Sequence, residues 1–182
     1  SPIKTKLDSW YKTNLTSYTS KLTDETFCND RSITSGSGYL TTPSTFYGAY
    51  TRLQDRKTPS LKCSGDNDKF KMSNESAKLN YPVALITADE VALAGGRGYY
   101  NGGYSPNSNY YLYNGNYFWS LSPSSFNSYY SFAFVWFVLP SGGLYPWYRV
   151  TNSFGVRPVI NLKANTLITK GDGSSLNPFV IS

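Results

Sequence analysis

The sequence predicts an α+β domain with two helices, a small, mostly antiparallel sheet and long irregular loops. Three observations carry this. Apolar residues recur at helical spacing at the start of the chain. A short apolar run leads into a capped helix at Thr87. Strand-like runs separated by Gly, Pro and Ser turns fill the last third. A chain of 182 residues suits one domain, 1–182, long enough to bury a core without a metal.

Ile3, Leu7, Trp10, Tyr11 and Leu15 share a helical stripe over 1–15, with Ser1 placed to cap and Pro2 suited to the first helical position. Ser1 is not an expected native start, so this helix reads as the end of a segment whose leader or anchor has been trimmed. From Thr26 to Lys71 the Gly, Ser, Asp and Thr content predicts irregular loops, with brief strands around Phe27 and from Phe46 to Tyr50. Asp66, Asn67 and Asp68 look like the start of a calcium loop, but the required glycine and closing glutamate do not follow, leaving a solvated turn. Pro82 to Gly96 reads as an apolar strand running into a helix. There Thr87 and Glu90 form a capping box and Gly95 supplies the left-handed stop, a role that occupies Glu90 and argues against catalysis by it. Phe132 to Val138 and Leu144 to Val150 read as strands around a Pro-Ser-Gly-Gly turn, Val156 to Leu162 as a buried strand, and Asn177 to Ile181 as a final one. Gly95 to Phe118 has neither period and reads as a functional loop.

The net charge of +6 and pI near 9.2 come from lysines and arginines scattered over the first half with no accompanying motif, so no nucleic-acid partner is expected. No apolar run approaches the ~18 residues of a membrane span, and no direct membrane insertion is expected. Cys28 and Cys63 cannot assemble a four-thiolate zinc site. They are one disulfide or two thiols, and a composition rich in Tyr, Asn, Ser and Thr favours the disulfide and an exported protein.

The chain has no histidine, and no carboxylate lies between Glu90 and Asp172, which removes the parts of a general base or a hard-metal site from that stretch; no cofactor or metal is expected. Gly98 to Phe154 is instead rich in Tyr, Asn, Ser, Gly and Trp, the mixture that binding loops use: tyrosine offers a large amphipathic surface for two frozen torsions, and the small polar residues adapt their hydrogen bonds. The candidates for display on one exposed face are Tyr99, Tyr100, Asn101, Tyr104, Asn127, Tyr129, Tyr130, Trp136, Tyr145, Trp147, Tyr148, Arg149, Asn152 and Phe154. Arg149 is the only cation in the segment and could stack or meet an acid on a partner. Trp119, Leu121 and Pro123 read as scaffold, Tyr111 and Tyr113 as buried on alternate strand positions, and Arg157 as a buried guanidinium satisfied by backbone carbonyls.

The run from Leu85 to Gly96, Leu-Ile-Thr-Ala-Asp-Glu-Val-Ala-Leu-Ala-Gly-Gly, with Gly155-Val-Arg-Pro-Val-Ile160 near the end, resembles the C-type lectin fold in its formylglycine-generating-enzyme-like branch. The resemblance spans Phe27 to Ile181 and extends to the variable proteins of diversity-generating retroelements, among them phage tropism determinants and surface-displayed binders. Their hypervariable residues precede the terminal strands, where this chain places its Tyr, Asn and Ser. Mutation of asparagine codons at adenines would yield most of this alphabet, though not Trp136 or Trp147. The chain is also similar to the C-terminal domain of prepilin-like surface proteins. The resemblance implies no activity, because the enzymes of the branch use a late cysteine pair and both cysteines here precede Thr87. The acid gap likewise denies calcium-dependent sugar binding its carboxylates. What is implied is a non-catalytic extracellular, cell-surface or virion module that binds a protein or glycan receptor on another cell or a phage host. A structural pilin or capsid-decoration subunit is the competing expectation.

Overall fold

A computed structural model describes residues 1–96, 115–174 and 176–182, and its architecture is α+β. Helix α1 (Pro2–Asn14) begins as expected: the Ser1 hydroxyl accepts from the Lys4 amide and Pro2 opens the helix. Leu7 and Tyr11 are buried, whereas Trp10 faces solvent, so the apolar stripe is narrower than the sequence suggested. Lys4 pairs with Asp8, and its ammonium donates to the carbonyls of Val83 (3.0 Å) and Tyr81 (3.3 Å), pinning α1 to the segment that leads into the Thr87-capped helix.

The main sheet is antiparallel, in the order β2 (Ile33–Ser35), β3 (Thr45–Tyr47), β5 (Phe118–Asn127), β6 (Phe132–Val138), β7 (Leu144–Arg149). Two small ribbons flank it: β1 (Phe27–Cys28) with β4 (Lys69–Phe70), and β8 (Ile168–Lys170) with β9 (Val180–Ile181). Because side chains alternate along a strand, neighbours feed opposite cores. Phe118, Trp136, Val138 and Leu144 pack against α2 (Gly48–Tyr50), the π-helical turn that continues it to Arg56, and α3 (Ala88–Leu93), through Ala49, Leu53, Ala88 and Val91. Trp119 and Phe137 pack on the other side with Leu7 and Tyr11 of α1 and with Val83 and Leu85.

The Trp-Ser-Leu-Ser-Pro run expected to be scaffold is a wide bulge in β5. Trp119 pairs with Phe137 and Pro123 with Val135, so the chain between them leaves β6 and bonds elsewhere. The Leu121 amide donates to the Ile86 carbonyl at 2.8 Å, the Ser122 hydroxyl accepts from the Ala88 amide at 3.0 Å, and the Ser120 hydroxyl donates to the Trp136 carbonyl at 2.7 Å. This joint ties the start of α3 to the sheet. The Thr87–Glu90 capping box is complete, and Gly95 has the expected positive φ of 102°.

Four strand expectations need correction. Pro82 to Ile86 and Val156 to Leu162 are not strands: they meet through the isolated Ala84–Val159 bridge, whose two residues exchange both backbone hydrogen bonds, and Pro82 lacks the N–H that the next bonded pair would need. Phe46 to Tyr50 is strand only to Tyr47, because Gly48 turns the chain into α2. A side chain there would lie 2.5 Å from the Ser32 hydroxyl and 2.7 Å from the Asp30 carboxylate. The last strand is only Val180–Ile181, because Asn177 closes a turn on Ser174 instead. Asp66 to Asp68 forms one 3-10 turn, and Cys28 and Cys63 are joined in a disulfide across a separation of 35 residues.

Two carboxylates fasten the irregular first half. Burial alone would raise Asp24, but the amides of Met72 (2.7 Å) and Ser73 (2.9 Å) hold it below its ordinary value. Asp30 is likewise pushed up by burial and brought below that value by Ser32 and Arg52. A depressed folded pKa contributes stability above the unfolded value, near 3.9, and that contribution is lost as pH falls through the folded value. With no histidine in the chain, the melting temperature should be nearly flat between about pH 5 and 8 and fall below about pH 4. Thermal melts across that range check this, and an Asp24→Asn, Asp30→Asn double variant that keeps the full acid slope would refute it.

Candidate binding face

β5 and β6 meet at a tight tip, 128–131, whose backbone is held from two sides. The Asn127 carboxamide oxygen accepts from the Tyr130 amide at 3.0 Å, and the Ser44 hydroxyl accepts from the Ser128 amide at 3.0 Å. Ser131 takes a left-handed φ of 54° to complete the turn. On this anchored tip Tyr129 and Tyr130 are 84% and 61% exposed, their rings edge to face at 4.6 Å. The Tyr130 ring stacks on Phe132 at 5.7 Å, and the exposed Arg149 guanidinium lies 3.4 Å from the Phe132 centroid. The strand end carrying Arg149 is fixed by the Val150 amide donating to Ala133 and the Asn152 amide donating to Arg149.

Along the same face of β6, Phe134 meets Trp147 edge to face at 5.8 Å, and Trp147 also contacts Phe46 and Tyr50. Burial pushes the Tyr50 hydroxyl up, aided by Asp55, so it stays a neutral phenol. The result is a row of rings from the half-buried Trp147 to the fully displayed Tyr129, in a stretch of sequence without acids.

The candidates do not share one exposed face. Trp136 is buried at 0% exposure on an inner strand of the sheet and is core, not display. Tyr145, Tyr148 and Phe154 are half-buried on the opposite side, where their rings surround the buried Phe137 at 5.6, 4.6 and 5.3 Å. Between the Phe137–Tyr145 and Val135–Tyr148 pairs, Pro146 and Trp147 together oppose Trp136, and this bulge on the edge strand keeps both tyrosines on the α1 side. Asn127 is half-buried and serves the turn, while Asn152 is exposed and, with Phe154, lines a recess of about 520 Å³ beside the start of α1. Tyr99, Tyr100, Asn101 and Tyr104, with Tyr111 and Tyr113, lie outside the described residues. Arg157 is half-buried rather than buried, with its guanidinium 4.5 Å from the Phe118 centroid.

Sequence reasoning missed Phe132 and Phe134, although their alternation with Trp136 marks one face of a strand. It also missed the most buried ionic cluster. Arg52 makes a paired contact with Asp89 (2.8 and 2.9 Å) and also binds Asp30, and the Ser60 amide donates to Asp89 at 2.9 Å. Asp89, then Asp30, hold the guanidinium firmly protonated. A cavity of about 200 Å³ opens beside this cluster, but its acids are already engaged: Asp89 and Asp30 by Arg52, and Glu90 by Thr87. Among the described residues no group of His, Cys, Asp and Glu could hold a metal ion. No family model, curated protein or solved structure matches the chain.

Proposed function

We propose that this protein is a non-catalytic extracellular ligand-binding module of the C-type lectin type, built in the manner of retroelement-diversified variable proteins. It acts as an adhesin or receptor-binding domain toward a protein or glycan receptor on another cell or a phage host. The observation that supports it best is the anchored tip: Tyr129 and Tyr130 stand in solvent on a turn fixed by Asn127 and Ser44, an arrangement in which little entropy remains to be lost on binding. The disulfide suits an oxidising compartment, and among the described residues no helix is long and apolar enough to cross a membrane.

The test uses peptide and glycan arrays probed with the wild-type chain and a Tyr129→Ala, Tyr130→Ala variant. Specific binding should fall at least about tenfold, as for loss of hot-spot anchors, while the melting temperature holds. Binding that ignores both substitutions would refute the face. Loss of self-assembly without loss of array binding would favour a structural subunit. A near-copy of the 98–154 coding region beside a reverse transcriptase gene, differing at adenines, is expected if the segment is diversified.

A further inference from the structure

We infer that Arg149 is the specificity-determining residue of this face and reads a carboxylate on an acidic protein partner, an assignment that rests on the recognition role proposed above. Its guanidinium lies at stacking distance on Phe132, 3.4 Å from the ring centroid. A guanidinium lying flat on a ring keeps its N–H donors, which point outward in its own plane, at the rim of that ring. The ion pairs of the described residues engage Lys4, Arg31, Arg52, Lys69 and Lys78, each with a carboxylate, and none engages Arg149. Nor can its own sheet neighbours supply one, because β5, β6 and β7 contain no Asp or Glu. A cation with outward donors, on a sheet whose neighbouring strands offer it no acid, is complementary to a carboxylate held in two-pronged fashion.

The shape favours a protein over a sugar. Small ligands are gripped in concave sites, whereas Tyr129 and Tyr130 protrude beside Arg149. Protruding Tyr and Arg side chains are the anchors that fill recesses on protein surfaces. The partner surface would therefore present an Asp or Glu at the edge of an apolar recess.

A displayed library of random short peptides selected on the immobilised full chain tests this. Enriched peptides should carry Asp or Glu beside a bulky apolar residue, and exchanging that acid for its amide should weaken binding about tenfold, the loss expected of one charge-assisted pair. Arg149→Gln should remove the acid preference and cost a similar factor, and Arg149→Lys should keep part of it, both at unchanged melting temperature. Enrichment of neutral peptides, an acid preference that survives Arg149→Gln, no enrichment, or capture only of carboxylated oligosaccharides on an array would each overturn the assignment. The array result would leave the recognition role standing. Peptide binding indifferent to the Tyr129→Ala, Tyr130→Ala variant would instead remove the role itself.

Discussion

Trp136→Ala is expected to destabilise the fold by about 4 kcal/mol, lowering the melting temperature of a chain this size by roughly 8–16 °C. The side chain is wholly buried where β5, β6 and β7 meet α2 and α3, in contact with a cluster that includes Phe118, Val138, Leu144, Leu53 and Val91. Removing it forfeits the burial of the indole and leaves a cavity that the strands on one side and the packed helices on the other cannot close. One effect works the other way. The indole N–H has no hydrogen-bond partner among the described residues, and an unpaired buried donor costs about 1–3 kcal/mol. Trp136→Phe, which deletes that donor while keeping a ring, should therefore cost under about 1.5 kcal/mol. Urea unfolding followed by fluorescence and circular dichroism measures both. An alanine variant as stable as wild type would mean that the residue is not core, and a phenylalanine variant as damaged as alanine would mean that the N–H is satisfied after all. Tyr129→Ala on the tip should leave unfolding unchanged within about 0.5 kcal/mol, which separates packing from display within one short stretch of sequence.

Trp136 and Trp147 show where sequence stops being informative. Both sit in aromatic runs that read as strands, and their rings lie on the same side of the sheet. One is in a central strand beneath α2 and α3 and the other on the edge, and that difference is set by segments from 48 to 93 that arrive over long chain separations. Local chemistry, by contrast, was legible. The Ser1 cap, the Thr87–Glu90 box, the Gly95 stop and the β6 boundaries all follow from neighbours within a few residues, where geometry is fixed by the backbone itself. Pro82 is visible as well, but its apolar surroundings outweigh it in predicting a strand that the missing N–H prevents. The exposed tip is half legible: the sequence predicts that Tyr129 and Tyr130 are displayed, while the Ser44 tether that fixes their turn comes from 84 residues earlier and leaves no local trace.

The Arg52 cluster left no sequence signal, yet it is expected to carry an effect as large as Trp136. Arg52→Met should destabilise by about 4 kcal/mol, because it strands the carboxylate of Asp89, whose side chain is 5% exposed, and that of Asp30 beside it. The cost would arise less from the lost attraction than from leaving two desolvated anions with too few donors: Asp89 would retain the Ser60 amide and Asp30 its Ser32 contact. Adding Asp89→Asn to Arg52→Met should consequently recover at least about 1 kcal/mol, since an apolar or neutral replacement of a whole buried pair costs less than a broken one. The cluster joins the loop after β1, the turn that continues α2 and the first turn of α3, three segments with little regular hydrogen bonding between them. It should thus control the order of the irregular half more than that of the sheet. Hydrogen exchange on Arg52→Met at neutral pH is expected to show faster exchange at the Ser60 and Ser32 amides, with β6 protection lowered only by the global loss in stability. A single variant costing under about 1 kcal/mol, or a double variant no better than the single, would show that the packed helices and the disulfide, rather than this ion cluster, hold those segments in place.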